Sequence, residues 1–414
     1  MNWTAAGFLF VGCSILISTK AMYDEAIKMR TLPWYIDHDR ADAQWHMLVR
    51  NYPLILTAVA LHLTLSRAGY MLGIWKETNA LVGCAFVVLL HGGGAVPLFA
   101  TALLVYLCKN WRAVTLAWFL GVGTLAYCDR NDCSITFAPF VSQWYVHYNF
   151  VWLRLISYAA DSKGKEKFAD FAAYLFYPPL YLAGPIAHFE DFRCTKLQLG
   201  LSKRLFRWLL TLALAVSTIN LLRPWSVVRA GGSNAGPLLD AFWVLMSIYL
   251  KFLVIWRGFA LWAAFDGVAV PENMKSCICV PCGISTFWKT WHSSFRRWIV
   301  KYVYVPLGGD RKGKWRAVIN KMLVFAFVAA WHDRNAKMLH WGTFLAVFVI
   351  IEQLYPATTP NMRANYCFLL VIANAVGFGH LNSRTVEVRD LFSIALWWPS
   401  LLFLATQFSE YKGK

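Results

Sequence analysis

The chain has 414 residues, of which 58% are hydrophobic and only 15% charged, with 21 Trp, 29 Phe and 18 Tyr. Soluble domains carry about a quarter of their residues as charges, so this composition excludes an ordinary soluble class. The net charge of +18, from 40 Lys and Arg against 22 Asp and Glu, sits in short loops between apolar runs. That is the pattern of positive-inside topology and not of nucleic-acid binding.

In chain order, apolar helical candidates run over 3–19, 51–66, 79–91, 95–108, 111–127, 138–160, 171–187, 204–222, 236–266, 318–332, 338–355, 364–380 and 391–408. They predict an all-α transmembrane bundle, one domain over 1–414, with about 10–12 spanning or re-entrant helices. Spanning backbone must satisfy its own hydrogen bonds, and these runs lack the alternation of barrel strands. The first run reads as a signal anchor that stays in the chain. Residues 20–50 are polar and predict a surface helix and loop.

Arg154 is a cation inside the 138–160 run. Two roles fit it: pairing with a carboxylate such as Asp161, or holding a headgroup phosphate. Tyr177, Pro178, Gly184 and Pro185 predict a broken helix, with His188 and Asp191 just beyond the break. The cluster Cys277, Cys279 and Cys282 fits loop cysteines, a lipidation site or part of a zinc site. No second CxxC accompanies it, and no metal is expected. No internal repeat is present, which argues against a repeat-built transporter.

Residues 285–320 form an interfacial basic and aromatic segment. On a helix, Trp288, Trp291, Phe295, Trp298 and Tyr302 share one stripe, with Lys289, Arg296 and Arg297 largely away from it. Pro306, Gly308 and Gly309 stop that helix. His292 borders the stripe, where a packed, hydrogen-bonded histidine and a functional one both fit. The next apolar run ends in His332 and Asp333. An ionisable group at membrane depth is costly and marks a functional site by default. Burial favours neutral imidazole, which suits a general base, while Asp333 reads as a helix cap or an orienting partner.

FWKTWHSSFRRWIVKYVYVPLGG (287–309), followed forty residues after its histidine by a second histidine ending an apolar run, resembles the membrane-bound O-acyltransferase (MBOAT) family. His332 falls on the family's near-universal catalytic position. His292 falls on one that carries His, Asn or Asp. YPPLYLAGPIAHFEDF (177–192), VWLRLISYAAD (151–161), ADAQWHMLVRNYPLI (41–55) and the Trp331-His332-Asp333 triplet are similar to the branch holding glycerol uptake proteins and Hedgehog acyltransferases.

The resemblance implies a multi-pass enzyme of the endoplasmic reticulum with a tunnel through the bilayer. It implies acyl-CoA as co-substrate with no further cofactor, and a lysolipid acceptor, lyso-glycosylphosphatidylinositol (lyso-GPI) first among them. His332 and His292 are the catalytic candidates. Trp288, Trp291, Trp331 and Asp333 are expected near substrate, as are Arg154, Tyr177 and Gly184. Arg296, Arg297 and Lys301 are expected to meet the phosphates of coenzyme A. Two alternatives remain open: acylation of a protein, as in the Hedgehog type, and glycerol or solute transport.

Overall fold

Helix is the form that each described apolar run takes in the computed structural model, as a lipid environment demands. The structure describes residues 3–29, 38–108, 111–131, 133, 140–141, 144–192, 200–234, 236–278, 283–332 and 336–356, with 362, 366 and 370. Fifteen α-helices occur among them: α1 (Trp3–Lys28), α2 (Ala43–Met71), α3 (Trp75–His91), α4 (Ala95–Leu107), α5 (Trp111–Arg130), α6 (Trp144–Asp161), α7 (Phe168–Leu175), α8 (Pro178–Leu182), α9 (Leu201–Leu222), α10 (Pro224–Arg229), α11 (Pro237–Phe265), α12 (Ile284–Thr290), α13 (Ser293–Ile299), α14 (Lys314–His332) and α15 (Ala336–Leu354). No strand occurs among the described residues.

Four helical stretches among the described residues are long and apolar enough to cross a membrane: α2, α3 continued into α4, α9 continued into α10, and α11 from Asp240. Their outward faces carry exposed Leu54, Leu56, Leu61 and Leu65 on α2 and Leu209, Leu210 and Leu214 on α9. Such faces would be a liability in water and are ordinary against lipid. The α3–α4 stretch is interrupted by the turn Gly92–Gly94. Gly92 adopts φ 53° there, and a Cβ on Gly94 would come within 2.8 Å of the Trp144 side chain. Both positions therefore need glycine.

Several helix bounds differ from the expected ones. Within 20–50, α1 continues to Lys28 and α2 begins at Ala43, and residues 30–37 lie outside the described residues. Local pairs extend α1, with Lys20 Nζ 2.8 Å from Asp24 and Lys28 Nζ 2.7 Å from Glu25. Asp42 then caps α2 by accepting from the Trp45 backbone N–H at 3.1 Å. The 138–160 run becomes helical at Trp144. The 171–187 run breaks earlier than expected, at Phe176–Tyr177, because Pro178 and Pro179 cannot continue α7 and instead start α8. The runs 364–380 and 391–408 lie outside the described residues, apart from Tyr366 and Leu370.

Helix pairs α5–α6, α3–α7, α9–α11 and α14–α15 pack closely. Lipid tails are as apolar as leucine, so shape and interhelical hydrogen bonds must hold such pairs. Tryptophan indoles supply several: Trp45 to Asn220 at 3.1 Å, Trp262 to His62 at 3.0 Å and Trp243 to Ser18 at 3.1 Å. One ion pair is fully enclosed, with Lys251 Nζ 2.7 and 2.8 Å from the two oxygens of Asp42. The largest core joins α3–α8 to α13 and α14 through Trp144, Trp152, Phe295, Trp298 and Trp331. It carries both candidate catalytic histidines at its edge.

Candidate active site

The expected continuous interfacial helix does not form. Trp291 is extended, at φ −80° and ψ 133°, and His292 is left-handed, at φ 44° and ψ 48°. The chain therefore turns sharply between α12 and α13. Asn273 holds the turn: its carbonyl accepts from Ser293 N–H at 2.9 Å, and its side-chain oxygen accepts from Ser294 N–H at 3.0 Å and Ser294 Oγ at 2.7 Å. The aromatic stripe splits accordingly. Phe295, Trp298 and Tyr302 enter the main core, while Trp288 and Trp291 pack with Phe287 on the other side. The first three are buried against protein.

His292 is the hinge of this turn. Its ring lies 4.5 Å from Trp256 and 5.2 Å from Phe295, centroid to centroid, and Nδ1 is 3.2 Å from Asn273 Oδ1. Asn273 Oδ1 already accepts from a backbone N–H, so it is an acceptor toward the ring as well. Neutral His292 must then carry its proton on Nδ1, leaving Nε2 with a lone pair.

His332 is the last residue of α14, at the end of the apolar run, as expected. Its ring packs 4.8 Å from Trp331 and 6.4 Å from Phe295. Trp331 is held in turn by Phe295 at 4.4 Å, Phe150 at 5.6 Å and an indole N–H to the Asn149 carbonyl at 3.4 Å. Phe295 thus touches both histidine rings. His332 is exposed at the C-terminal end of α14. Asp333 lies outside the described residues, as do Cys279 and Cys282.

The other candidates divide. The guanidinium of Arg154 is 3% exposed and donates to the carbonyls of Leu175, at 2.9 Å, and Leu180. It satisfies the helix ends freed by the α7–α8 break, and it pairs with neither Asp161 nor a surface. Tyr177 is buried, with its hydroxyl bonded to Asp266 at 2.6 Å. Gly184 follows α8 where a Cβ would come within 2.7 Å of the Pro179 carbonyl. These three residues shape the scaffold around the break.

Arg296, Arg297 and Lys301 instead meet at a basic cavity of about 330 Å³ with Lys275 and Lys289. Lys301 pairs with Asp161 at 2.8 Å and Glu190 at 2.6 Å, and Arg297 with Asp191 at 2.5 Å. Burial works against the Lys301 ammonium, but the two carboxylates outweigh it and hold it above the usual lysine range. Lys301 and Tyr302 lie on a π-helical turn, Val300–Tyr304, a form that recurs at functional sites. Ser293 and Ser294 also line this cavity, so it adjoins the His292 turn.

Residues 98–377 match MBOAT, the membrane-bound O-acyltransferase family. The chain belongs to this family. It is similar to the membrane-bound O-acyltransferase GUP1 of Candida tropicalis, 27% identical over 419 residues, covering 82% of this chain and 71% of that one. The GUP1 protein of Saccharomyces cerevisiae is 28% identical over 384 residues, covering 76% and 68%. A probable alginate O-acetylase AlgI of Pseudomonas putida is 25% identical over 268 residues, covering 58% and 52%. This MBOAT chain is a multi-pass membrane acyltransferase, and it fits the glycerol uptake protein branch. His292 and His332 both lie inside the matched span.

Sequence reasoning missed Asn273, Phe295 and Trp256 as supports of the histidine pair. Asn273 sits in an irregular loop with no periodicity to single it out, and its role exists only because the chain folds back onto Ser293 and Ser294.

Proposed function

We propose that the chain moves a fatty acyl group from acyl-CoA to the free hydroxyl of a lysolipid, with lyso-GPI the leading acceptor, in the endoplasmic reticulum membrane. The supporting observation is the convergence of His332 and His292 on Phe295.

An acyl thioester is already activated, so transfer needs no enzyme nucleophile. His332 accepts the proton of the acceptor hydroxyl as its oxygen attacks the thioester carbonyl. The C–S bond then breaks, and the coenzyme A thiolate leaves with the proton returned from His332, giving ester and thiol. His292, packed on the same Phe295, positions the acceptor beside His332. Asparagine and aspartate, the alternatives expected at this position, can also hydrogen-bond and so position an acceptor. The phosphates of the donor enter the basic cavity beside Ser293, where Lys275, Lys289 and Arg296 have no carboxylate partner among the described residues. Enclosure of the site by helices keeps bulk water from the thioester.

The test is acyl transfer by purified protein with labelled acyl-CoAs of several chain lengths, offered lyso-GPI or a peptide with a free N-terminus. Label in the lipid supports the proposal. Label in the peptide alone replaces the acceptor, and glycerol flux through vesicles without any acyl donor replaces the reaction.

A further inference from the structure

The basic cavity holds one group that the transfer scheme leaves unused. His188 is 1% exposed, and neither ring nitrogen has a hydrogen-bond partner. Buried polar groups are almost always bonded, so two orphan nitrogens on one ring call for an explanation. Nδ1 stands 4.0 Å from both Glu190 and Asp191, beyond hydrogen-bond reach. Those carboxylates are engaged by Lys301 and Arg297 instead. The ring lies in the wall of the cavity that also gathers Lys275, Lys289 and Arg296.

The groups facing His188 come from every element around it. Arg297 and Lys301 approach from α13 and the π turn, Asp161 from α6, and Glu190 and Asp191 from its own turn. The Tyr302 ring lies edge-on at 5.2 Å, and Tyr174 of α7 bonds the neighbouring Ala187 carbonyl at 2.9 Å. Burial first, and then the Arg297 and Lys301 charges, push the imidazole down to about 4. Without a bound anion the ring is therefore neutral at physiological pH. An anion arriving among these cations reverses the balance, because it screens their charge and offers oxygens to a ring N–H.

We propose that His188 is a phosphate ligand of the basic cavity and binds the anion in its protonated form, so that phosphate binding takes up a proton at this ring. The proposal rests on the reading that the donor's phosphates occupy the cavity; an anionic lipid headgroup offers the same chemistry.

The probe is 3′-dephospho-coenzyme A, whose pyrophosphate diester lacks the phosphomonoester ionisation near pH 6 that would mask the effect. Binding to the detergent-solubilised full chain is measured by calorimetry at two pH values, in buffers of different ionisation enthalpy, which counts the protons taken up. From linkage, wild-type Kd should tighten at least about threefold between about pH 7.5 and about pH 5.5, with net proton uptake. His188→Gln, which keeps an N–H donor, should bind at the higher pH within about twofold of wild type and lose both the pH dependence and the uptake.

The wild-type measurement alone decides the matter if the variant does not fold, since binding without proton uptake overturns the proposal. A His188→Gln variant with the wild-type pH profile also overturns it, while leaving the donor's phosphates in the cavity. No binding, or binding unchanged by Arg296→Gln, overturns the cavity reading as well. In nanodiscs, phosphatidylserine that displaces the probe from wild type but not from His188→Gln would keep the phosphate site and give it to a lipid headgroup.

Discussion

His292 carries two constraints at one position. Its backbone is left-handed, which costs a side-chain-bearing residue about 1–2 kcal/mol and is best tolerated by Gly, Asn and Asp. In the proposed reaction its ring must also position the acceptor. His292→Asn meets both, so the variant should accumulate and melt like wild type in detergent and keep measurable transfer. His292→Leu meets neither. It should lose about 0.5–1.5 kcal/mol of stability with the hydrogen bond to Asn273 and at least about a hundredfold in kcat, read from thermal melts and initial rates. Equal activity of the two variants would remove His292 from the reaction. The sequence marked His292 as a packed or functional histidine at the edge of an aromatic stripe. It could not show that the stripe breaks at this residue, because the break depends on Asn273 reaching Ser293 and Ser294 from nineteen or more residues away.

Among the elements, α2 and α11 are joined by the buried Lys251–Asp42 pair, both side chains 3% exposed. Removing one partner of such a pair leaves a buried charge and costs about 3–5 kcal/mol. Asp42→Asn preserves the helix cap, since Asn caps as well as Asp, so a loss of that size would be traceable to Lys251. Adding Lys251→Met should restore much of the lost stability, as read from unfolding in detergent. The α3–α7 contact offers a second test. A Cβ on Gly83 would come within 2.5 Å of the Phe176 carbonyl, at the break between α7 and α8. Backbone there cannot swing aside as a side chain can. Gly83→Ala should destabilise by about 1–3 kcal/mol and depress transfer through the displaced break, while Gly123→Ala, with open space around its Cβ, should do neither. The apolar runs made most helices legible to within a few residues. The α7–α8 break was legible as a break from its prolines, though not its exact place. Arg154 was legible as an expensive cation, but its partners are carbonyls freed by that break, and no sequence pattern names them.

For the molecule as a whole, membership in the MBOAT family and the helical bundle follow from composition and from a few long motifs, and the matched span of 98–377 contains all of the chemistry discussed here. What the sequence left unassembled is the arrangement of that chemistry. Two histidines forty residues apart meet across one phenylalanine, and five basic residues from three segments surround a cavity beside them. In the proposed reaction this layout separates proton transfer at His332 from anion recognition at the cavity. Neutralising Arg296 should therefore weaken the use of donor, whereas changes at His332 should strike the chemical step itself.

The most direct test of the account is acyl transfer by His332→Ala, purified beside wild type and matched for yield, helical content and melting temperature. Loss of at least about a hundredfold in kcat, with binding of dephospho-coenzyme A unchanged, is the expected result. Wild-type turnover in a folded His332→Ala protein would contradict the proposal that this histidine is the base.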